Sequence, residues 1–428
     1  MAASSPNDAP SGWRWIPTLY FAEGIPYVVA MTVSVVMYKN LRISNTDIAL
    51  YTSSLNLPWV LKPLWSPVVD LFGTKRRWIF LLQFVVGAAL AGVSFAVPTA
   101  HFFGLTLAVF WLMACASATH DIAADGFYLL AQPAHAQAAF VGVRNTFYRL
   151  AMLAGQGGVV FLAGTLQTRL GSVTRAWTLV FVAMAAVYGL IAAYHAWALP
   201  RPAADGPNRT GRSFAGGFVQ VFADFFRRPD LAVTLAFLLL YRFAEAQLLK
   251  LVTPFLLDAR AVGGLGLSTQ RVGVVYGTVG LAALLVGGII GGVLISRYGL
   301  KRMLWPMLVV MHLPNLVFVA LAFTQPQNIA LIGAALAVEQ FGYGFGFTAY
   351  MMYMILVAEG AHKTAHYAIC TGFMALGIML PGMAAGWIED HLGYQRFFLY
   401  VCLATIPSFT AAALVKIDPA FGKRRAAA

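Results

Sequence analysis

Apolar runs of twenty residues or more recur along the chain with short polar punctuation between them. They fall at about 14–38, 46–69, 78–98, 103–131, 137–165, 176–199, 231–256, 271–296, 303–323, 329–357, 365–388 and 396–415. About 20 residues of α-helix cross the hydrocarbon core of a bilayer, so each run is long enough to span it. The runs are continuous rather than alternating, which sets aside a transmembrane strand barrel. The pattern predicts an all-α integral membrane protein with twelve transmembrane helices in two six-helix bundles. The long polar stretch Pro200–Pro229 divides them. The expected organisation is a tail over 1–13, a first bundle over 14–199, a linker over 200–230, a second bundle over 231–415 and a basic tail over 416–428. Pro200, Pro202 and Gly206 make the front of the linker coil-like. Phe214, Phe218, Val221, Phe222 and Phe225 share one face of its back, the pattern of an amphipathic helix in the headgroup layer.

Composition narrows the class further. Residues of the set AVILMFWYC make up 60% and charged residues 11%, against about 25% charged in ordinary soluble domains. A soluble enzyme, a disordered chain and a disulfide scaffold are excluded. The formal charge of +13 does not imply a nucleic-acid partner, because Lys and Arg collect in cytoplasmic loops of membrane proteins. With the N-terminus inside, eighteen of the 29 basic residues fall in cytoplasmic segments and seven outside. Both termini are therefore expected in the cytoplasm. Met1–Gly12 is polar and lacks the signature of a signal peptide. Cys115, Cys370 and Cys402 stand singly in apolar runs and read as small buried hydrophobes.

The two halves echo each other. Phe21-Ala22-Glu23 recurs as Phe243-Ala244-Glu245, and Gly73-Thr74-Lys75-Arg76 as Gly299-Leu300-Lys301-Arg302, at nearly the same offset. A duplicated six-span unit joined by a cytoplasmic linker resembles the major facilitator superfamily. The loop Asp70-Leu71-Phe72-Gly73-Thr74-Lys75-Arg76-Arg77 resembles that family's signature between spans two and three, with Pro67 where a glycine usually opens it. Through this loop the resemblance assigns Asp70, Gly73, Lys75, Arg76 and Arg77 to gating. Three further stretches resemble the AmpG-like muropeptide permeases, part of the peptide/acetyl-CoA transporter group. They are Leu57–Pro67, His120-Asp121-Ile122-Ala123-Ala124-Asp125-Gly126 and Tyr148–Leu153. His120 departs from the glutamine of the family pattern. Siderophore importers share the Lys-Pro-Leu-Trp and Asp-Ile-Ala motifs and are the rival reading.

A charge at the bilayer centre costs at least about 2.5–3.5 kcal/mol, so each calls for a reason. Glu23, Asp121, Asp125, Glu245 and Glu339 lie inside spans one, four, four, seven and ten. In a facilitator fold those four spans line the central cavity, so the resemblance implies that the carboxylates face one shared cavity. A carboxylate withdrawn from water keeps its proton to higher pH, which makes these five the candidates for proton coupling, Asp125 first among them. Arg149, Arg242 and Lys250 are candidates for capture of an anionic substrate group, or else neutralise the carboxylates. Arg242 lies on the same helix face as Glu245 and could pair with it. Lys62 is expected to snorkel to the interface. Tyr343 and Tyr350 are candidates for stacking against substrate. His120 reads as a polar spacer bonded to a neighbouring helix. No metal site and no cofactor are expected. Pro26 marks a break beside Glu23. The glycines 155, 157, 158 and 164 of span five are expected to face 287, 288, 291 and 292 of span eight.

These readings, with the resemblance, imply a transporter rather than an enzyme. The expectation is proton-coupled import of a muropeptide or similar small anionic solute across a bacterial inner membrane, by a monomer driven by the proton gradient alone. A membrane acyl or glycosyl transferase using His120 and Asp121 is the alternative from another class.

Overall fold

In the computed structural model the described residues are 12–132, 134–203, 205–206, 219–220, 222–359 and 363–422. They fold as helices throughout: α1 Gly12–Asn40, α2 Asn45–Ser54, α3 Leu57–Leu71, α4 Lys75–Ala96, α5 Phe102–Ala131, α6 Val143–Leu170 and α7 Val173–Ala198. After the linker come α8 Leu231–Leu240, α9 Phe243–Leu257, α10 Thr269–Tyr298, α11 Leu300–Thr324, α12 Ile329–Ala358, α13 Lys363–Leu403 and α14 Ile406–Leu414. Among the described residues, 10 stretches are long and apolar enough to cross a membrane. The segment His366–Leu414 counts once among them, yet its 49 residues would extend about 74 Å as one helix, and Gly393 interrupts it with φ 71°. Large apolar side chains such as Phe95 and Leu190, 78% and 71% exposed, point outward. In water such a surface would aggregate; against lipid it is at home. Of the linker helix expected from five aromatic and aliphatic positions, Phe214, Phe218 and Val221 lie outside the described residues.

Caps and turns follow the sequence closely. Ser44, Thr74, Ser172 and Ser268 each accept a hydrogen bond from the backbone N–H three residues on, starting α2, α4, α7 and α10. In the two loops that the repeat pairs, Gly73 and Gly299 have φ of 75° and 83°. A side chain at either would be strained, and Gly299, with ψ 154°, occupies a region essentially open to glycine alone.

Two compact units divide the chain. The first holds 1–33, 61–155 and 166–211, with Trp15, Leu19, Ile79, Phe127 and Leu199 buried in its core. The second holds 34–60, 156–165 and 212–428, with cores around Phe255, Phe318 and Phe398 and around Tyr241, Met307 and Tyr350. Helices α1 and α6 change unit at π-helical turns, Val29–Val33 and Ala154–Val159. A third π turn, Val275–Gly280, lies in α10. Pro26 does not break α1 outright. Its missing N–H frees the Ala22 carbonyl, and the Tyr188 hydroxyl donates to that oxygen at 2.9 Å.

Span-five glycines do meet span eight, at positions other than those expected. Gly157 packs on Gly277 and Thr278, Gly164 on Gln270, and Gly273 on Phe161. Gly287 and Gly291 instead pack on α12, against Phe341 and Phe345. The close approach is needed where the π turns of α6 and α10 touch, not further along α10.

Candidate functional site

The five intramembrane carboxylates divide between the units, Glu23, Asp121 and Asp125 in the first and Glu245 and Glu339 in the second. In the first unit, Asp121 and Asp125 lie one turn apart on α5 and have different partners. Lys62 Nζ stands 3.6 Å from Asp121, so this lysine turns to a carboxylate instead of snorkelling. Asp125 is 53% exposed and ion-paired with Arg144. The Tyr20 hydroxyl donates to the same carboxylate at 3.2 Å. The Arg144 guanidinium lies over the Tyr20 and Tyr128 rings, 4.1 and 4.4 Å from their centroids, a cation–π arrangement that fixes its orientation. Sequence placed Arg144 in a loop and chose Arg149. Arg149 is exposed, and among the described residues no carboxylate pairs with it.

Glu23 faces Asp121, Asp125, Arg144 and Lys62. One ligand atom each from Glu23, His120 and Asp121 lies within 4.8 Å of the others. A cation could be held at that spacing, but the Lys62 ammonium already supplies positive charge to Asp121. His120 reaches a neighbouring helix as expected. Its Nε2 lies 2.9 Å from the amide nitrogen of Gln83, which also removes that nitrogen from service as a transferase base. On the other side of Gln83, Oε1 lies 2.8 Å from His195 Nδ1. His195 Nε2 in turn lies 2.9 Å from the Thr18 hydroxyl. Gln83, His120 and His195 are all buried.

In the second unit, Glu245 and Glu339 are both fully buried and their carboxyl groups face each other. Among the described residues no nitrogen or hydroxyl donor reaches either oxygen of Glu245 or Oε1 of Glu339. Gln340 donates to the remaining Glu339 oxygen at 2.9 Å. Span seven is interrupted at Tyr241–Arg242, so Glu245 sits in the first turn of α9, where the positive end of the helix dipole favours an anion. Arg242 does not pair with Glu245. Its guanidinium donates to the Tyr343 hydroxyl and lies over the Tyr343 and Phe347 rings at 5.0 and 4.8 Å. Its Nε has no hydrogen-bond partner among the described residues.

Lys250 is not with these groups. It donates to Thr52 Oγ1 of α2 at 2.9 Å. Tyr350 is a core residue: it is buried, stacks with Phe237 and Tyr241, and donates to the Leu238 carbonyl at 2.6 Å.

The loop after α3 is anchored by a residue that sequence did not single out. Asp205 accepts from the Lys75 and Arg76 backbone N–H groups at 2.7 and 3.0 Å, capping α4 with a full charge. Arg76 Nε donates to the Leu199 carbonyl at 3.1 Å, the Lys75 stem packs against Gly126, and Arg77 is exposed. The Asp70 side chain lies outside the described residues.

A second unforeseen polar cluster lies in the second unit. Lys39 pairs with Asp258 at 2.7 Å. Asn45 Nδ2 donates to Glu389 at 2.6 Å and to the Tyr394 hydroxyl at 2.9 Å. Tyr394 donates on to Asp258 at 2.6 Å. The cluster borders a cavity of about 520 Å³, also lined by Arg42 and Asp390. Gln83 and His195 do carry a signal in the sequence, since a lone Gln or His in an apolar run must find a polar partner.

Comparison with known proteins agrees with this architecture. The chain is 27% identical over 397 residues to the anhydromuropeptide permease of Escherichia coli (strain K12), covering 91% of this chain and 76% of that protein. Its fold is similar to that of the nucleoside transporter NupG, with a TM-score of 0.69 at 15% identity over 94% of this chain and 99% of that one. A D-xylose-proton symporter gives a TM-score of 0.68 at 14% identity, over 94% of this chain and 96% of that one. The family model of the Major Facilitator Superfamily matches residues 18–365. With most of its length matched and its helices arranged as in solved transporters, the chain belongs to the major facilitator superfamily.

Proposed function

We propose that this multi-pass membrane transporter imports a muropeptide or similarly sized anionic solute across the bacterial inner membrane, by proton-coupled alternating access. The reading includes twelve spans and cytoplasmic termini. The Asn45–Leu71 helices supply one span beyond the ten, and division of His366–Leu414 at Gly393 supplies the other. The name of the E. coli relative supports the substrate class.

One observation carries the proton coupling. Glu245 and Glu339 face each other in a site without water access, with no donor among the described residues on three of their four oxygens. Two like charges so placed repel strongly, whereas one proton shared between them satisfies both groups. Asp125, first choice from sequence, is open to solvent and held by Arg144, so it serves better as a fixed charge. Arg242, oriented by two aromatic rings and with Nε unused, is the group for an anionic part of the substrate.

Uptake of labelled anhydro-muropeptide by proteoliposomes tests both parts. Glu339→Gln gives the pair a permanent donor in place of the proton. It should abolish accumulation driven by a pH gradient while exchange continues. Full gradient-driven accumulation by both Glu339→Gln and Glu245→Gln would refute the assignment. Uptake of a ferric siderophore in place of the muropeptide would move the substrate to the rival class. Tags in the linker and at the C-terminus should react only from the inside of intact cells.

A further inference from the structure

Buried polar atoms must be matched donor to acceptor, and a chain of them in which each link can donate or accept has two self-consistent polarities. Gln83, His120, His195 and Thr18 form such a chain inside the first unit. Its links are 2.9 Å from His120 Nε2 to the Gln83 amide nitrogen, 2.8 Å from Gln83 Oε1 to His195 Nδ1, and 2.9 Å from His195 Nε2 to Thr18 Oγ1. Thr18 Oγ1 also lies 3.2 Å from the Trp15 carbonyl. At the far end His120 Nδ1 has no partner among the described residues, nor does Glu23 Oε2, in the same cluster. The charged groups around that end are Glu23, Asp121, Asp125, Arg144 and Lys62, and the titratable hydroxyls beside them are those of Tyr20, Tyr148 and Tyr188.

As the structure stands, the Gln83 amide donates to His120 Nε2, so a neutral His120 carries its proton on Nδ1, the nitrogen left without a partner among the described residues. His195 then donates from Nδ1 to Gln83 Oε1 and accepts at Nε2 from the Thr18 hydroxyl. Turning the Gln83 amide over reverses every link. His120 carries its proton on Nε2 and presents a lone pair at Nδ1. His195 donates from Nε2 to Thr18, whose hydroxyl turns to the Trp15 carbonyl. Each imidazole holds one proton in both states, so the chain itself stores no charge. A mixed state sets two donors or two acceptors face to face in a buried site, which is costly.

We infer that Gln83 couples the tautomers of His120 and His195 to the proton on the Glu23–Asp121 pair. Ionised Glu23, whose Oε2 has no donor among the described residues, selects the first polarity; a protonated carboxyl brings its own donor and selects the second. His120 and His195 are positioning residues here, and the chain carries the state of the carboxylates to Thr18 near the start of α1. The inference rests on the proposed proton coupling only in that Glu23 or Asp121 must be able to hold a proton.

Nitrogen-15 spectra of histidine-labelled protein in nanodiscs distinguish pyrrole-type from pyridine-type ring nitrogens, with His120→Asn and His195→Asn used for assignment. At high pH both rings should be protonated at Nδ1. In Glu23→Gln/Asp121→Asn at the same pH the carboxamides supply the donor, and both rings should move to Nε2 together. Lowering the pH should produce the same paired change in the unmodified chain, so the result does not hang on one variant folding. In Gln83→Leu the His120 ring should still respond while His195 does not. Gln83→Glu, while its carboxylate is ionised, accepts from both sides and should hold His120 at Nε2 and His195 at Nδ1 whatever the state of Glu23 and Asp121. A His195 ring that ignores the state of His120, or follows it equally well without Gln83, would overturn the coupling. Proton uptake measured on the same samples stands apart: uptake without paired tautomers sinks this inference and leaves the proposed transport intact, and lack of uptake sinks the proton coupling itself.

Discussion

Gly277→Ala isolates the contact between the π turns of α6 and α10. A Cβ added at Gly277 would lie 2.1 Å from the Gln156 carbonyl oxygen, 2.5 Å from its carbon and 2.7 Å from Gly157 Cα. Ordinary carbon contacts sit at about 3.5–4.0 Å, and all three obstacles are backbone, so no side chain can swing aside. The helices must separate there by about 1 Å or more. Overpacking of this kind costs about 1–3 kcal/mol, and the helix preference of Ala over Gly returns about 0.5–1 kcal/mol. Gly292→Ala, in the same helix, supplies the reference, because nothing among the described residues lies within 4 Å of an added Cβ. It gains the preference without the clash. The difference between the two variants therefore measures overpacking alone, about 1–3 kcal/mol against Gly277→Ala. Thermal midpoints of the purified proteins should be read at one heating rate, because unfolding of membrane proteins is kinetic in practice. Gly277→Ala should melt below the unmodified chain and Gly292→Ala at or above it. Equal midpoints for the two variants would refute the close approach.

Other expectations bear on the remaining polar clusters. Asp258→Asn removes the ionic partner of Lys39, which keeps its bond to Asn45 Oδ1 at 2.7 Å, and should destabilise by about 1–3 kcal/mol; a double-mutant cycle with Lys39→Met, read by thermal midpoint, should recover much of that loss. Asp205→Ala removes the carboxylate cap on two N–H groups of α4 and should cost about 0.5–2 kcal/mol, visible as faster hydrogen exchange at Lys75 and Arg76. Arg242→Lys keeps the charge but loses the planar fork that reaches Tyr343 and stacks on two rings. It should weaken substrate binding in exchange assays while gradient-driven transport at saturating substrate persists.

Much of this protein is written locally. Ten stretches among the described residues have length and hydropathy enough to cross a membrane whatever their neighbours do. Ser44, Thr74, Ser172 and Ser268 mark where helices begin, and Gly73 and Gly299 mark turns that other residues would strain. The cost of a charge in lipid is likewise a property of one residue and its depth, so Glu23, Asp121, Asp125, Glu245 and Glu339 stood out at once. What could not be read were the partners. Hydropathy along a span is unchanged when the helix rotates, but the pairing of its side chains is not. The choice of Arg144 over Arg149 for Asp125, of Tyr343 over Glu245 for Arg242, and of Thr52 for Lys250 depends on azimuth and depth. Packing sets both, and each π turn adds a residue that shifts the following face. The same holds for Gln83, whose place exists only because tertiary contact brings two histidines distant in sequence to either side of one amide.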